Sequence, residues 1–78
     1  MAGLPIPEDS WLHRAVLSGS FRGKRIWRSP NQKRFYTWDS LHGEVEVWDR
    51  RGYHLGSVDP MTGILVGGPV RGRRQDVP

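Results

Sequence analysis

Gly43-Glu44-Val45-Glu46-Val47-Trp48, then Asp49-Arg50-Arg51-Gly52, then Tyr53-His54-Leu55-Gly56-Ser57-Val58 is the stretch whose reading decides the fold. Glu44, Glu46 and Trp48 alternate with Val45 and Val47, the period-two pattern of a strand with two unlike faces. Asp49–Gly52 is a hairpin turn, with glycine where the backbone takes positive φ, and Tyr53–Val58 is the return strand. Upstream, Lys33–Trp38 and Lys24–Ser29 read as further strands, separated by Pro30-Asn31. Downstream, Asp59-Pro60-Met61-Thr62-Gly63 is a second strong turn into a short strand, Ile64–Val66. The Gly67-Gly68-Pro69 break then leads to a basic tail. Strands at this spacing with tight turns predict an antiparallel sheet.

The N-terminal part reads differently. Pro5 and Pro7 mark an extended arm. Asp9 is a candidate N-cap for a short helix whose apolar stripe is Trp11, Leu12, Ala15 and Val16, ended by Gly19. The expected architecture is α+β and mostly β: a short N-terminal helix on a highly twisted antiparallel sheet. One domain is expected over 1–78, with the arm and helix in 1–21 and the sheet in 24–74, because 78 residues leave no room for a second.

The chain has no cysteine, which excludes disulfide scaffolds and thiolate metal sites. No apolar run approaches the roughly 20 residues of a membrane span, and the N-terminus lacks the layout of an export signal, so no membrane partner is expected. Twelve Lys and Arg against eight Asp and Glu give a net charge of +4, pointing to a polyanionic partner. The charges are also segregated. Arg22, Lys24, Arg25, Arg28, Lys33 and Arg34 form one basic arm, and Arg71, Arg73 and Arg74 another. Asp39, Glu44, Glu46 and Asp49 form an acidic island between them.

That island holds the candidate chemistry. If the strand runs through His42, then His42, Glu44 and Glu46 share one face at steps of about 7 Å. Two carboxylates and an imidazole suit RNA cleavage through its own 2′-hydroxyl: a carboxylate as base, a histidinium as acid and an arginine stabilising the charged transition state. Asp39 beside His42 would raise the histidine's pKa above its ordinary value of about 6.5. Two other readings fit the same spacing. His-x-Glu-x-Glu can ligate a divalent metal, and a solvated acidic face can simply offset nearby cations.

Tyr36-Thr37-Trp38-Asp39-Ser40-Leu41-His42-Gly43-Glu44-Val45-Glu46-Val47, followed by His54-Leu55-Gly56-Ser57-Val58-Asp59-Pro60-Met61-Thr62-Gly63, resembles the cytotoxic ribonuclease domain of the ribosome-inactivating E-type colicins and cloacin. The resemblance spans roughly Arg25 to Arg74. It implies an endoribonuclease that cuts 16S ribosomal RNA in the decoding centre without metal or other cofactor. By position it implies Glu46 as general base, His42 as general acid, Asp39 as the carboxylate supporting that histidine and Glu44 as a further acid. Arg73 falls at the catalytic arginine, with Arg71 and Arg74 flanking it. His54 matches a family histidine, read as structural or RNA-contacting. The turn Asp49–Gly52 is one residue shorter than the family pattern, the tail is richer in Arg and Gly, and the N-terminal helix has no family counterpart.

The expected partners are the bacterial ribosome and an acidic immunity or antitoxin protein, since such a nuclease endangers its producer. It would act in the bacterial cytoplasm, either delivered as the C-terminal part of a secreted toxin or made there as a free-standing one. Lys24, Arg25, Arg28, Lys33, Arg34, Arg71 and Arg74 are expected on RNA phosphates. Trp48 is expected as an aromatic wall of the site, and Trp27, Trp38 and Tyr36 as further candidates for stacking on bases, with core packing the favoured role for Trp38. The competing reading from another class is a non-catalytic basic RNA-binding β-domain whose acidic patch docks a protein.

Overall fold

The computed structural model describes residues 3–14 and 17–78. Six strands, β1 (Leu17–Phe21), β2 (Lys24–Arg28), β3 (Arg34–Asp39), β4 (Glu44–Asp49), β5 (His54–Val58) and β6 (Leu65–Gly67), form one sheet in chain order. Every neighbouring pair is antiparallel. The strands expected from Lys24 onward are all present, shifted at their ends by about a residue. Bulges in the β4–β5 and β5–β6 ladders sharpen the local twist. The Cα extents of 28 × 26 × 25 Å are nearly equal, so the sheet curls, with the arm and tail folded onto its faces.

The expected N-terminal helix is not formed. Among the described residues there is only a three-residue 3₁₀ turn, Trp11–His13, capped by Ser10 rather than Asp9, with the Ser10 hydroxyl accepting from the Leu12 N–H at 3.2 Å. Ala15 and Val16 of the expected stripe lie outside the described residues. Gly19, read as the helix terminator, sits inside β1 opposite Ile26. The physical reason is competition. A helix of about two turns is marginal alone, whereas Leu17–Phe21 gains a five-residue ladder with β2. The signal for that ladder is Arg22-Gly23. Both residues have positive φ, 52° and 77°, as a tight two-residue hairpin requires.

Strand alternation divides the apolar residues between two faces. On one, Leu12, Trp27 and Val45 are buried together, flanked by Ile6, Trp11, Tyr36, Trp38 and Val58. Trp11 is pinned there by its indole N–H donating to the Asp59 carbonyl at 3.0 Å and by an edge-on contact with Tyr36. On the other face Ile26, Phe35 and Trp48 are buried, with Phe21 and Val77 against them. The tail reaches this second face by backbone pairing. His54 N–H donates to the Arg73 carbonyl and Gln75 N–H to the Gly52 carbonyl, while Tyr53 and Arg74 form an isolated bridge.

Gly52 therefore serves two purposes, since its φ of 91° closes the hairpin and its missing Cβ leaves room for the Gln75 carbonyl. Gly52→Ala adds strain and a backbone collision. The expected loss is about 2 kcal/mol, or roughly 10 °C in Tm for a domain of this size, read by thermal unfolding.

Candidate active site

Glu46 lies in the middle of β4, opposite Thr37 of β3 and Ser57 of β5, and it is only 6% exposed. A carboxylate so deep in a sheet needs partners, and Glu46 has two. One oxygen is 2.5 Å from His54 Nε2, and the other accepts from Arg73 Nη1 at 3.1 Å. The His54 tautomer follows from its other nitrogen. The Val70 N–H can only donate, so Nδ1 accepts at 2.9 Å, and the proton on Nε2 points at Glu46. Trp48 closes the base of this group, standing edge-on to His54 and donating its indole N–H to the Thr37 hydroxyl at 2.9 Å. The Arg73 guanidinium lies over the Trp48 ring, 5.2 Å from its centroid, with its side chain about half exposed.

His42 arrives by a different route from the one its spacing implied. β4 begins at Glu44, and His42 sits in the turn before it, where Gly43 takes a φ of 68°. Asp39 builds that turn. One of its oxygens accepts from the Leu41 and His42 N–H groups, at 3.0 and 3.2 Å, and the other takes the His42 ring Nδ1 at 2.7 Å. The His42 side chain is 64% exposed, and Nε2 has no partner among the described residues.

This pairing shifts both groups. The hydrogen bond to Asp39 and the Asp39 charge raise the His42 pKa above 6.5, against slight desolvation and with help from Glu44 and Glu46. Burial acts to raise the Asp39 carboxyl, but the hydrogen bonds from the His42 ring and backbone and from Leu41, with the His42 charge, together hold it below its ordinary 3.8. Linkage gives the sign. The His42 share of stability is complete below about pH 6.5 and fades as pH rises through its raised pKa. The Asp39 share is present above about pH 3.9 and fades as pH falls through its lowered one.

Asp39, His42 and Glu46 face one cleft of about 440 Å³, together with Lys24, Thr37, Trp38, Trp48, Arg73, Arg74 and Gln75. Of the three tail arginines, Arg73 is the one bonded to Glu46. Arg74 lines the cleft but gives its Nε to the Arg51 carbonyl, and the exposed Arg71 is outside the lining. Glu44 is half-buried beside the cleft and acts on His42 as a charge only. Lys24 lines it too, holding Gln75 of the tail at 3.1 Å.

Two expected RNA contacts are not available. His54 is buried at 6% with both ring nitrogens bound, which leaves neither free to reach RNA. Trp48, at 2% exposed and covered by Arg73, floors the cleft and offers no open ring to a base. Trp27 is likewise buried, and Tyr36 packs against Trp11. Trp38 packs beside the core as favoured, with its indole N–H on the Leu4 carbonyl, yet also lines the cleft. The basic arm is not one patch either. Arg25 lies over Trp27, and Arg34 shares a strand face with Tyr36, so both belong to the face away from the cleft. Arg28 lies over Phe35, on the cleft face. Lys33 is at a turn. Among the described residues no group of three His, Asp or Glu side chains is gathered for a metal, so His42, Glu44 and Glu46 do not form the ligand set their spacing permitted.

The family model described as Cytotoxic matches residues 13–76. Cloacin of Escherichia coli is 47% identical over 49 residues, which is 60% of this chain. Colicin E3 of Escherichia coli is 43% identical over 53 residues, 67% of this chain. Colicin-E6 of the same organism is 45% identical over 49 residues, again 60%. In each case the match spans 9% of the relative's own length.

The Asp39–His42 pair is open to direct titration. In Asp39→Asn the ring loses the hydrogen bond and charge that raise it, so the His42 midpoint, followed by NMR of the ring protons, is expected to fall toward 6.5. An unchanged midpoint would mean that Asp39 does not control the ring.

Proposed function

The chain belongs to the Cytotoxic family, and from that membership we propose that it is the nuclease of a bacterial toxin, an endoribonuclease that cleaves 16S ribosomal RNA in the decoding centre and stops translation. The observation that supports this reading best is the convergence in one cleft of a fixed carboxylate, Glu46, a half-exposed arginine, Arg73, and an exposed imidazole with a raised pKa, His42.

The proposed reaction uses those three groups. Glu46 takes the proton from the ribose 2′-hydroxyl, using a lone pair left by its bonds to His54 and Arg73. The 2′-oxygen forms a bond to phosphorus as the bond to the 5′-oxygen breaks. His42 gives the Nε2 proton to that leaving oxygen, producing a 2′,3′-cyclic phosphate and a 5′-hydroxyl end. The Arg73 guanidinium, held over Trp48, stabilises the charge that accumulates on the phosphoryl oxygens. Asp39 keeps the histidine oriented with Nε2 outward. As proposed, the chemistry draws on side chains alone.

The toxin would work in the cytoplasm of a bacterium, delivered there within a longer protein or made there, with an acidic protein holding it in check. Association with such an inhibitor would be fast and sensitive to salt.

The test is primer extension on 16S ribosomal RNA from intact ribosomes incubated with the protein in EDTA. A single new stop in the decoding region is expected, with rates about 10²–10⁴-fold lower for His42→Ala and Glu46→Gln. A cut that needs added metal would overturn the side-chain mechanism. RNA binding without cleavage would leave a binding module in place of an enzyme.

A further inference from the structure

We propose that the end of the sheet opposite the Asp39–His42 turn is a second RNA-binding surface. It would hold the phosphate backbone of structured RNA away from the nucleotide being cut, and it rests on the ribonuclease reading above. In an antiparallel meander the β2–β3 and β4–β5 turns lie at one end, and the β3–β4 and β5–β6 turns at the other. The first pair of turns brings Lys33 beside Arg50 and Arg51, which with Asp49 line an open cavity of about 460 Å³. Arg34, the ladder partner of Asp49, lies on the sheet face away from the cleft, while Arg74 bonds the Arg51 carbonyl from the cleft side. Lys33, Arg50 and Arg51 are all exposed.

Their charge is not neutralised. The acid–base side-chain pairs among the described residues are Arg22–Asp76, His42–Asp39, Arg73–Glu46 and the hydrogen-bonded His54–Glu46, and none includes Lys33, Arg34, Arg50, Arg51 or Arg74. The single carboxylate nearby, Asp49, has one oxygen occupied by the Arg51 and Tyr53 N–H groups, at 2.8 and 2.9 Å. Like charges gathered without partners repel, and a polyanion relieves that repulsion.

Both turns are tied. Asn31 accepts from the Ser29 hydroxyl at 2.7 Å and from the Lys33 N–H at 3.0 Å, while Asp49 spans the other turn, so the cations are presented on ordered backbone. Tyr53, the exposed aromatic at this end, carries the Arg74 guanidinium over one face of its ring. With three exposed cations around one cavity, the surface suits phosphates rather than sequence. Six residues of β3 set this end about 17 Å from the Asp39–His42 turn, so a phosphate held here is not the one beside His42.

The experiment compares wild type, Arg50→Ala/Arg51→Ala, Lys33→Ala/Arg50→Ala/Arg51→Ala and Arg50→Lys/Arg51→Lys. Cleavage of intact small ribosomal subunits is measured over a range of salt, alongside direct binding of labelled 16S ribosomal RNA. The alanine variants are expected to raise KM on the order of tenfold with kcat within about twofold. They are also expected to lower the salt slope by about one for each phosphate no longer held, while the lysine variant keeps the slope. RNA binding weakens in parallel. Unchanged KM, slope and RNA binding in variants that fold normally would overturn the proposal, as would a loss confined to kcat. Unchanged RNA binding with weakened affinity for an acidic inhibitor protein would assign the surface to that partner instead. If the wild type fails to cut, the ribonuclease reading fails, and the binding arm still decides whether this end holds RNA.

Discussion

A carboxylate buried in the centre of a six-stranded sheet is the constraint around which the molecule is organised. Glu46 cannot sit at 6% exposure without its charge being answered, and the answers come from the next strand and from the tail. His54 comes from β5 and Arg73 from the tail after β6. Meeting both requires the β4–β5 ladder to bulge between Val47 and Trp48, so that His54 is carried against Trp48 and Glu46. It also requires the tail to return across the sheet. Such an arrangement is poor evidence of stability, because an apolar group of similar shape commonly does as well or better. A site that needs a fixed carboxylate accounts for it more readily than the core does.

The tail shows how placement is achieved without a long strand. Arg73 is set by its own carbonyl on the His54 N–H, by the neighbouring Tyr53–Arg74 bridge and by Gln75 on the Gly52 carbonyl. Lys24 holds Gln75 from the other side, and Val77 packs against the Ile26, Phe35 and Trp48 cluster. Packing beyond the cleft thus fixes a guanidinium inside it. The Val70 N–H extends the same logic by fixing the His54 tautomer, without which the ring would not present a proton to Glu46.

Much of this is legible in the sequence, for reasons that can be named. Alternation in Glu44–Trp48 and glycine at position 52 mark β4 and its turn, because both are local consequences of backbone geometry. Asp39 beside His42 is legible because they lie only three positions apart across a turn. The N-terminal segment misleads because Trp11 and Leu12 fit a helical stripe, and the partner that draws Leu17–Phe21 into a strand lies beyond a two-residue hairpin. Spacing alone puts His42 on the strand and does not reveal that Gly43 breaks it. Glu46 with Arg73 is a contact across 27 residues, and burial of His54 and Trp48 depends on a tail that no periodicity announces. Long-range closure is what the sequence leaves unsaid.

The two central groups occupy opposite environments, and under the proposed reaction each environment suits its task. The histidine must regain its proton every turnover, so a ring 64% exposed on a turn, with Nε2 facing outward, remains in exchange with solvent. The carboxylate must meet one hydroxyl in one orientation, so a side chain held at both oxygens within the sheet has little freedom to lose. Exposure of the acid and confinement of the base follow from a turn and a strand meeting at the same end of one hairpin. The β3–β4 hairpin brings both to one cleft without requiring either to leave the secondary structure that suits it.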